Sequence, residues 1–187
     1  MSQEVEQSFK KAKEEFDKAL DHLHKELSKV RTGKASTNII EGVMVNYYGS
    51  PVPINQVANL SLGDSRTIII SPWEKKLIQE IEKAIFESNL GLTPQNDGEV
   101  IRLTIPPLTE DRRKEYVKTA KHYGEEAKVS IRSSRHKVLD TIKKEQKNGL
   151  AEDMAKRKET EIQNLVNDTI AKVDKVLEAK EKEIMTV

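Results

Sequence analysis

The chain has no cysteine. That excludes disulfide staples, thiolate zinc sites and cysteine nucleophiles, and it suits a reducing compartment. Aromatic residues are sparse, with one Trp, three Phe and four Tyr among 187 residues. So few rings fit long amphipathic helices with thin cores better than a compact enzyme built around a deep pocket. No apolar run approaches the roughly 20 residues needed to span a bilayer. The amino terminus, Met1-Ser2-Gln3-Glu4-Val5-Glu6, is acidic and polar, unlike a secretory signal or an Arg-rich transit peptide. A soluble, cytoplasmic protein with no membrane contact is expected. Proline is missing from the whole stretch Thr109–Lys147, so nothing there breaks a helix.

What is abundant is charge, and its distribution is uneven. The totals, 32 basic and 31 acidic residues, nearly cancel. Residues 109–147, however, hold 12 basic and 7 acidic residues, a net +5, while 1–30, 31–108 and 148–187 carry −1, −1 and −2. Within that basic segment Lys114, Lys121, Lys128 and Arg135 recur at seven-residue steps, with Arg132 and Lys143 beside them. At about 100° per residue these positions share one side of a helix. An apolar stripe of Tyr116, Ala120, Ala127, Ile131, Val138 and Ile142 lies roughly 80° to 100° away. One face can bury while its neighbour offers a row of cations to a polyanion.

Two other segments share the helical repeat. Phe9, Ala12, Phe16, Ala19 (with Leu20), Leu23, Leu27 and Val30 follow one another at steps of three or four, which predicts a helix over residues 2–30 about 43 Å long. Ile162, Leu165, Thr169, Val173, Val176 and Ile184 repeat the pattern from Ala151 to about Met185. Asn148-Gly149 supplies a C-cap and a short turn, which makes the last two helices antiparallel neighbours.

Residues 31–108 read as a small mixed module. Val43, Val45 and Tyr47 alternate as a half-buried strand, and Tyr48-Gly49-Ser50-Pro51 reads as a turn. Arg66–Ile70 is a second strand, Val100, Leu103 and Ile105 belong to a third, and Leu77, Ile81, Ala84 and Ile85 mark a helix after Pro72. Tyr47 and Tyr48 are expected on opposite faces of a strand, and Trp73 is expected to pack at a helix start. The predicted class is α+β. An elongated antiparallel three-helix bundle (1–30 and 106–187) carries an inserted small α/β, β-sandwich-like domain (31–105). Both crossings hold chain-breaking residues, Arg31-Thr32-Gly33-Lys34 outward and Ile105-Pro106-Pro107-Leu108 on the return. Paired linkers of this kind make a natural hinge. Thr109 is the expected N-cap of the basic helix.

At these junctions the chain resembles ribosome recycling factors. The residues that carry the likeness are Arg31-Thr32-Gly33-Lys34-Ala35-Ser36, Tyr47-Tyr48-Gly49, Asp64-Ser65-Arg66-Thr67, Leu90-Gly91-Leu92, Pro106-Pro107-Leu108-Thr109-Glu110-Asp111-Arg112-Arg113-Lys114, and the pair Arg132 and Arg135. The resemblance implies an L-shaped, monomeric protein that performs no covalent chemistry and needs no cofactor. It implies binding to the post-termination ribosome and, with elongation factor G and GTP hydrolysis, splitting of the subunits. It assigns contact with large-subunit rRNA to Arg132, Arg135 and Arg113, and the cationic row adds Lys128 and Lys121 as expected contacts. Three positions depart from the family pattern. Lys34 stands where arginine is commoner, Ser133-Ser134 replace an Asn-aliphatic pair, and His136 replaces a third arginine. Ser134 falls near the packing face, where looser packing is expected.

Several bland readings compete. A charged helix face is often merely solvated, and nearby acids such as Glu125 and Asp140 favour that view. Against it, four of the eight arginines lie on this one helix, and arginine forks phosphate oxygens where lysine acts as a point charge. For Arg113, rRNA contact and structural pinning of the linker both stand, and for Arg112 the structural role leads. Gly33-Lys34-Ala35-Ser36 resembles a phosphate loop only weakly, since Ser28 replaces the upstream glycine and Ala35 the magnesium-binding hydroxyl. His22, His24, His122 and His136 form no ligand set. The functional alternative is a non-ribosomal helical adaptor or coiled-coil structural protein. An enzyme would require a convergent polar site, and none is evident.

Overall fold

Apolar stripes on three long helices converge on one core. In the computed structural model, which describes residues 2–186, α1 spans Gln3–Ser28, α3 Glu110–Lys147 and α4 Glu152–Met185. Phe9, Ala12, Phe16, Leu23 and Leu27 from α1 meet Ala120, Ala127, Ile131, Val138 and Ile142 from α3 and Ile162, Val166, Val173 and Ile184 from α4. Ala19, Leu20, Tyr116, Leu165 and Val176 are partly buried at its margin. The stripes of α1 and α3 follow the expected spacing, while on α4 Val166 and Leu177 are buried where Leu165 and Val176 were expected. Three marginal helices stabilise one another by burying these faces.

The turn between α3 and α4 closes as a Schellman motif. Leu150 N–H donates to Glu145 C=O at 2.9 Å and Gly149 N–H to Gln146 C=O at 3.2 Å, with Gly149 at φ +106°. At the other end of α3, Thr109 Oγ1 accepts from Arg112 N–H at 3.2 Å, the expected cap.

The chain divides into two compact units, one running to Val30 and resuming at Lys114–Thr186, the other Arg31–Arg113. The second unit thus takes in Pro106–Arg113, including the first turn of α3. Leu108 packs over Gly33, where a Cβ would lie 3.4 Å from Leu108 Cγ.

The second unit contains a hairpin of β1 (Met44–Tyr47) and β2 (Ser50–Pro53) and an antiparallel sheet. The sheet orders β3 (Ala58–Asp64), β4 (Thr67–Pro72), β6 (Ile101–Thr104) and β5 (Pro94–Asn96) as β3-β4-β6-β5. Ile68 pairs with Leu103 and Ile70 with Ile101, so these four fully buried chains share one sheet face. Helix α2 (Ile78–Glu87) adds Ile78, Ile81 and Ile85 to the same core.

Four local expectations need correction. The buried phase of β6 is Ile101, Leu103 and Ile105, with Val100 only half-buried outside the strand. β2, β3 and β5 escape a pattern search because β2 and β5 contain prolines and β3 buries little beyond Ala58. Trp73 does not pack at a helix start but is 67% exposed. Tyr47 and Tyr48 do not diverge either. Tyr48 occupies the hairpin turn at φ +49°, and its ring meets that of Tyr47 edge-on at 4.6 Å.

Candidate nucleic-acid interface

The cations of α3 are graded rather than uniform, and helix geometry sets the gradient. A seven-residue repeat falls short of two full turns by about 20°. Counting from the fully buried Ile131 at about 100° per residue, Lys114, Lys121, Lys128 and Arg135 therefore sit near 100°, 80°, 60° and 40°. The row winds toward the core. Lys114 and Lys121 are exposed. Lys128 retains only 17% of its side-chain exposure, and the Nε of Arg135 is buried without a hydrogen-bond partner. Arg132 and Lys143, near 100° and 120°, stay exposed.

Lys128 is engaged from outside its own helix. Its Nζ lies 2.8 Å from Asp174 Oδ1 on α4 and 3.7 Å from Glu125 Oε1. Asp174, and to a lesser degree Glu125, hold its ammonium above the ordinary lysine range. As it stands, Lys128 is a strut between α3 and α4, and a phosphate would have to displace Asp174 to reach it. The sequence does not reveal this pair, because its partners are separated by a turn and most of a helix. Arg135 lays its stem along the bundle margin. With Nε sealed, bidentate contact through that atom requires the stem to swing outward. Arg113 is in the same position, half-buried with an unpartnered Nε.

On the opposite margin of α3, Ser134 is 5% exposed and hydrogen-bonds Glu15 of α1, which Lys137 also approaches at 3.4 Å. The Ser134 hydroxyl first, and Lys137 second, hold the Glu15 carboxyl below its usual range. Small residues (Ala19, Ala127, Ser130, Ser133 and Ser134) and longer polar ones such as Lys18, His22 and Glu126 line an open groove of about 870 Å³ between α1 and α3.

The linker residues are tied down on the second unit. Arg31 Nη2 donates to Leu90 C=O at 2.9 Å, Ala35 N–H to Ser65 C=O at 2.7 Å, and Ile105 N–H to Arg66 C=O at 2.7 Å. Thr32 is buried, Lys34 is exposed, Gly33 takes φ +80°, and Pro106 and Pro107 are exposed. No group of ligands able to hold a metal occurs among the described residues. No helix among those residues is long and apolar enough to cross a membrane.

A family model described as ribosome recycling factor matches residues 23–185. The ribosome-recycling factor of Porphyromonas gingivalis is 48% identical over 185 residues, 98% of this chain and all of that one. The same factor of Cytophaga hutchinsonii is 51% identical over 94% of this chain and 95% of its own. A solution structure of the ribosome recycling factor superposes with a TM-score of 0.79 at 41% identity, covering both chains completely. A second structural relative, at TM-score 0.65 and 39% identity, also covers both chains completely. It comes from models of the Thermus thermophilus ribosome recycling factor and Escherichia coli elongation factor G bound to the E. coli post-termination complex. A match of this length and identity, on the fold described above, leaves one conclusion: the chain belongs to the ribosome recycling factor family.

Proposed function

We propose that this protein is a cytoplasmic translation factor that binds the post-termination ribosome. Together with elongation factor G and GTP hydrolysis by that factor, it promotes separation of the subunits. Its own contribution is binding and mechanical coupling without covalent chemistry. The bundle anchors on large-subunit rRNA through α3. Arg132 and Lys121 make the outer contacts, Arg135 and Arg113 join by moving their half-buried stems, and Lys128 joins by exchanging Asp174 for phosphate. The second unit receives the push of the GTPase. Arg31–Lys34 and Ile105–Leu108 form the hinge that passes it on, and a stiff Pro106-Pro107 strand beside a permissive Gly33 suits that role.

The observation that carries this reading is the placement of exposed Arg132 and Lys121 about 80° to 100° from the buried Ile131, on a helix whose adjacent side is committed to the bundle core. The adaptor alternative needs an unpartnered apolar seam. The stripes of α1, α3 and α4 are instead buried against one another.

Light scattering from post-termination ribosomes supplied with elongation factor G and GTP tests the function, since splitting must depend on this protein. The doubly substituted Arg132→Ala, Arg135→Ala protein tests the anchor. Its ribosome affinity should fall and its log-affinity against log-salt slope should flatten by roughly one to two units. An unchanged slope removes both arginines from phosphate contact.

A further inference from the structure

The second unit displays an aromatic cluster that the α3 anchor leaves unused. We propose that the cleft walled by Tyr47, Trp73 and Glu74 binds an arginine side chain of a basic protein segment.

Trp73 and Tyr48 are 67% and 69% exposed in a chain that has few rings to spend. Tyr48 also stands in the left-handed region at φ +49°, where a hairpin turn would better suit Asn, Asp or Gly. Its phenol donates to Glu74 Oε2 at 2.8 Å and that of Tyr47 to Glu74 Oε1 at 3.2 Å. The two rings, in edge contact at 4.6 Å and 79°, are therefore held in place before any partner arrives. Each carboxylate oxygen keeps a lone pair beyond the one its phenol uses.

Between Tyr47 and Trp73 lies a cleft of about 260 Å³ floored by Val52, Val57 and Leu77, with Glu74 on its wall. Small-molecule sites usually start near 300 Å³, so this one suits a single inserted side chain. Its chemistry selects the charge. Glu74 is the one ionised group in the lining, and no basic residue shares it. Two aromatic walls and a carboxylate together attract a cation, and a planar guanidinium stacks on rings and forks to carboxylates. The cluster already draws one cation from outside the cleft. Lys76 Nζ lies 5.8 Å over the Tyr48 ring and 4.0 Å from Glu74 Oε2. Tyr48 first, then Glu74, hold that ammonium above its ordinary range. An RNA base stacked on Trp73 would instead bring its phosphate toward Glu74, so the observations favour protein over nucleic acid.

Trp73 is the chain's one tryptophan, so the intrinsic fluorescence of the full-length protein reports on this site. Titration with an end-blocked Gly-Arg-Gly tripeptide should change it saturably, with a Kd of about 1 mM, the range of one stacked and ion-paired contact. The isosteric Gly-citrulline-Gly peptide should bind about tenfold more weakly. Glu74→Gln should weaken arginine binding to the same degree while Glu99→Gln leaves it unchanged. Lys76→Gln, which removes the internal competitor without touching the cleft, should tighten it two- to threefold. The proposal is overturned if the citrulline peptide binds equally well, if oligouridylate changes the fluorescence more strongly than the arginine peptide, or if Lys76→Gln weakens binding. It is also overturned if no saturable change appears up to about 20 mM peptide.

Discussion

Lys128 of α3 and Asp174 of α4 form a 2.8 Å ion pair in which the lysine side chain is 17% exposed and the aspartate 57%. The pair holds one cation of the seven-residue row against the bundle. Under the proposed rRNA anchor, a phosphate would have to displace Asp174 to reach Lys128, which would set a threshold for contact at this position. The extra charge on Lys128 below its raised pKa stabilises the folded state. That contribution is complete below about pH 10.4 and is lost as pH rises through the folded value.

Releasing Lys128 has a measurable signature. Asp174→Asn should steepen the salt dependence of ribosome binding by up to about 0.9 of a unit, and Lys128→Ala in the same chain should cancel that gain. If Arg132→Ala, Arg135→Ala weakens binding while Asp174→Asn changes nothing, the threshold is wrong and the anchor survives.

Gly124 of α3 packs directly against Leu177 of α4. A Cβ there would meet Leu177 Cδ1 at 2.2 Å and Cδ2 at 2.9 Å. Gly124→Ala gains about 1 kcal/mol of helix propensity but overpacks a buried seam at a cost of about 1 to 3 kcal/mol. Urea unfolding should show a net loss of about 1 kcal/mol. Adding Leu177→Ala should cost less than the sum of the single changes, because the clash is then relieved.

Acid stability tests the contact between Ser134 and Glu15. The depressed Glu15 pKa means its contribution is present above about pH 4.5 and lost as pH falls through the lower folded value. Ser134→Ala should lower stability at pH 7 by about 1 to 2 kcal/mol and leave a shallower decline as pH falls below about 4.5. An acid limb parallel to that of the parent protein would show that the hydroxyl does not sense the charge.

Gly33 must adopt φ +80° beneath Leu108. Gly33→Ala should therefore lower stability by about 1 to 2 kcal/mol, and Gly33→Asn should cost less, because Asn tolerates the left-handed region. Thermal melts of both variants separate backbone strain from simple bulk, which would penalise Asn more.

The bundle was readable because its information is repeated within each element. Phe9 to Leu27, Ala120 to Ile142 and Ile162 to Ile184 each state their buried face several times over, and Asn148-Gly149 states the turn. The second unit was only partly readable. β4 announces itself through Ile68, Ile69 and Ile70, but its neighbour β3 offers Asn59, Ser61 and Gly63 and becomes a strand by pairing with it. β2 joins the hairpin despite Pro51 and Pro53, on the strength of a two-residue turn at Tyr48-Gly49.

The candidate interface divides the same way. Local periodicity places Arg132, Lys121 and the apolar stripe on separate sides of one helix, because side-chain direction along a helix depends on position in the chain alone. Which cations stay free is a property of the packed molecule. The heptad row drifts toward the core, α4 brings Asp174 to Lys128, and α1 brings Glu15 to Ser134. Glu74 is likewise brought to two tyrosines more than twenty residues away. Charge, turn residues and the repeat were written in the order of amino acids. Burial and pairing, which depend on distances between segments, arose only when the segments met.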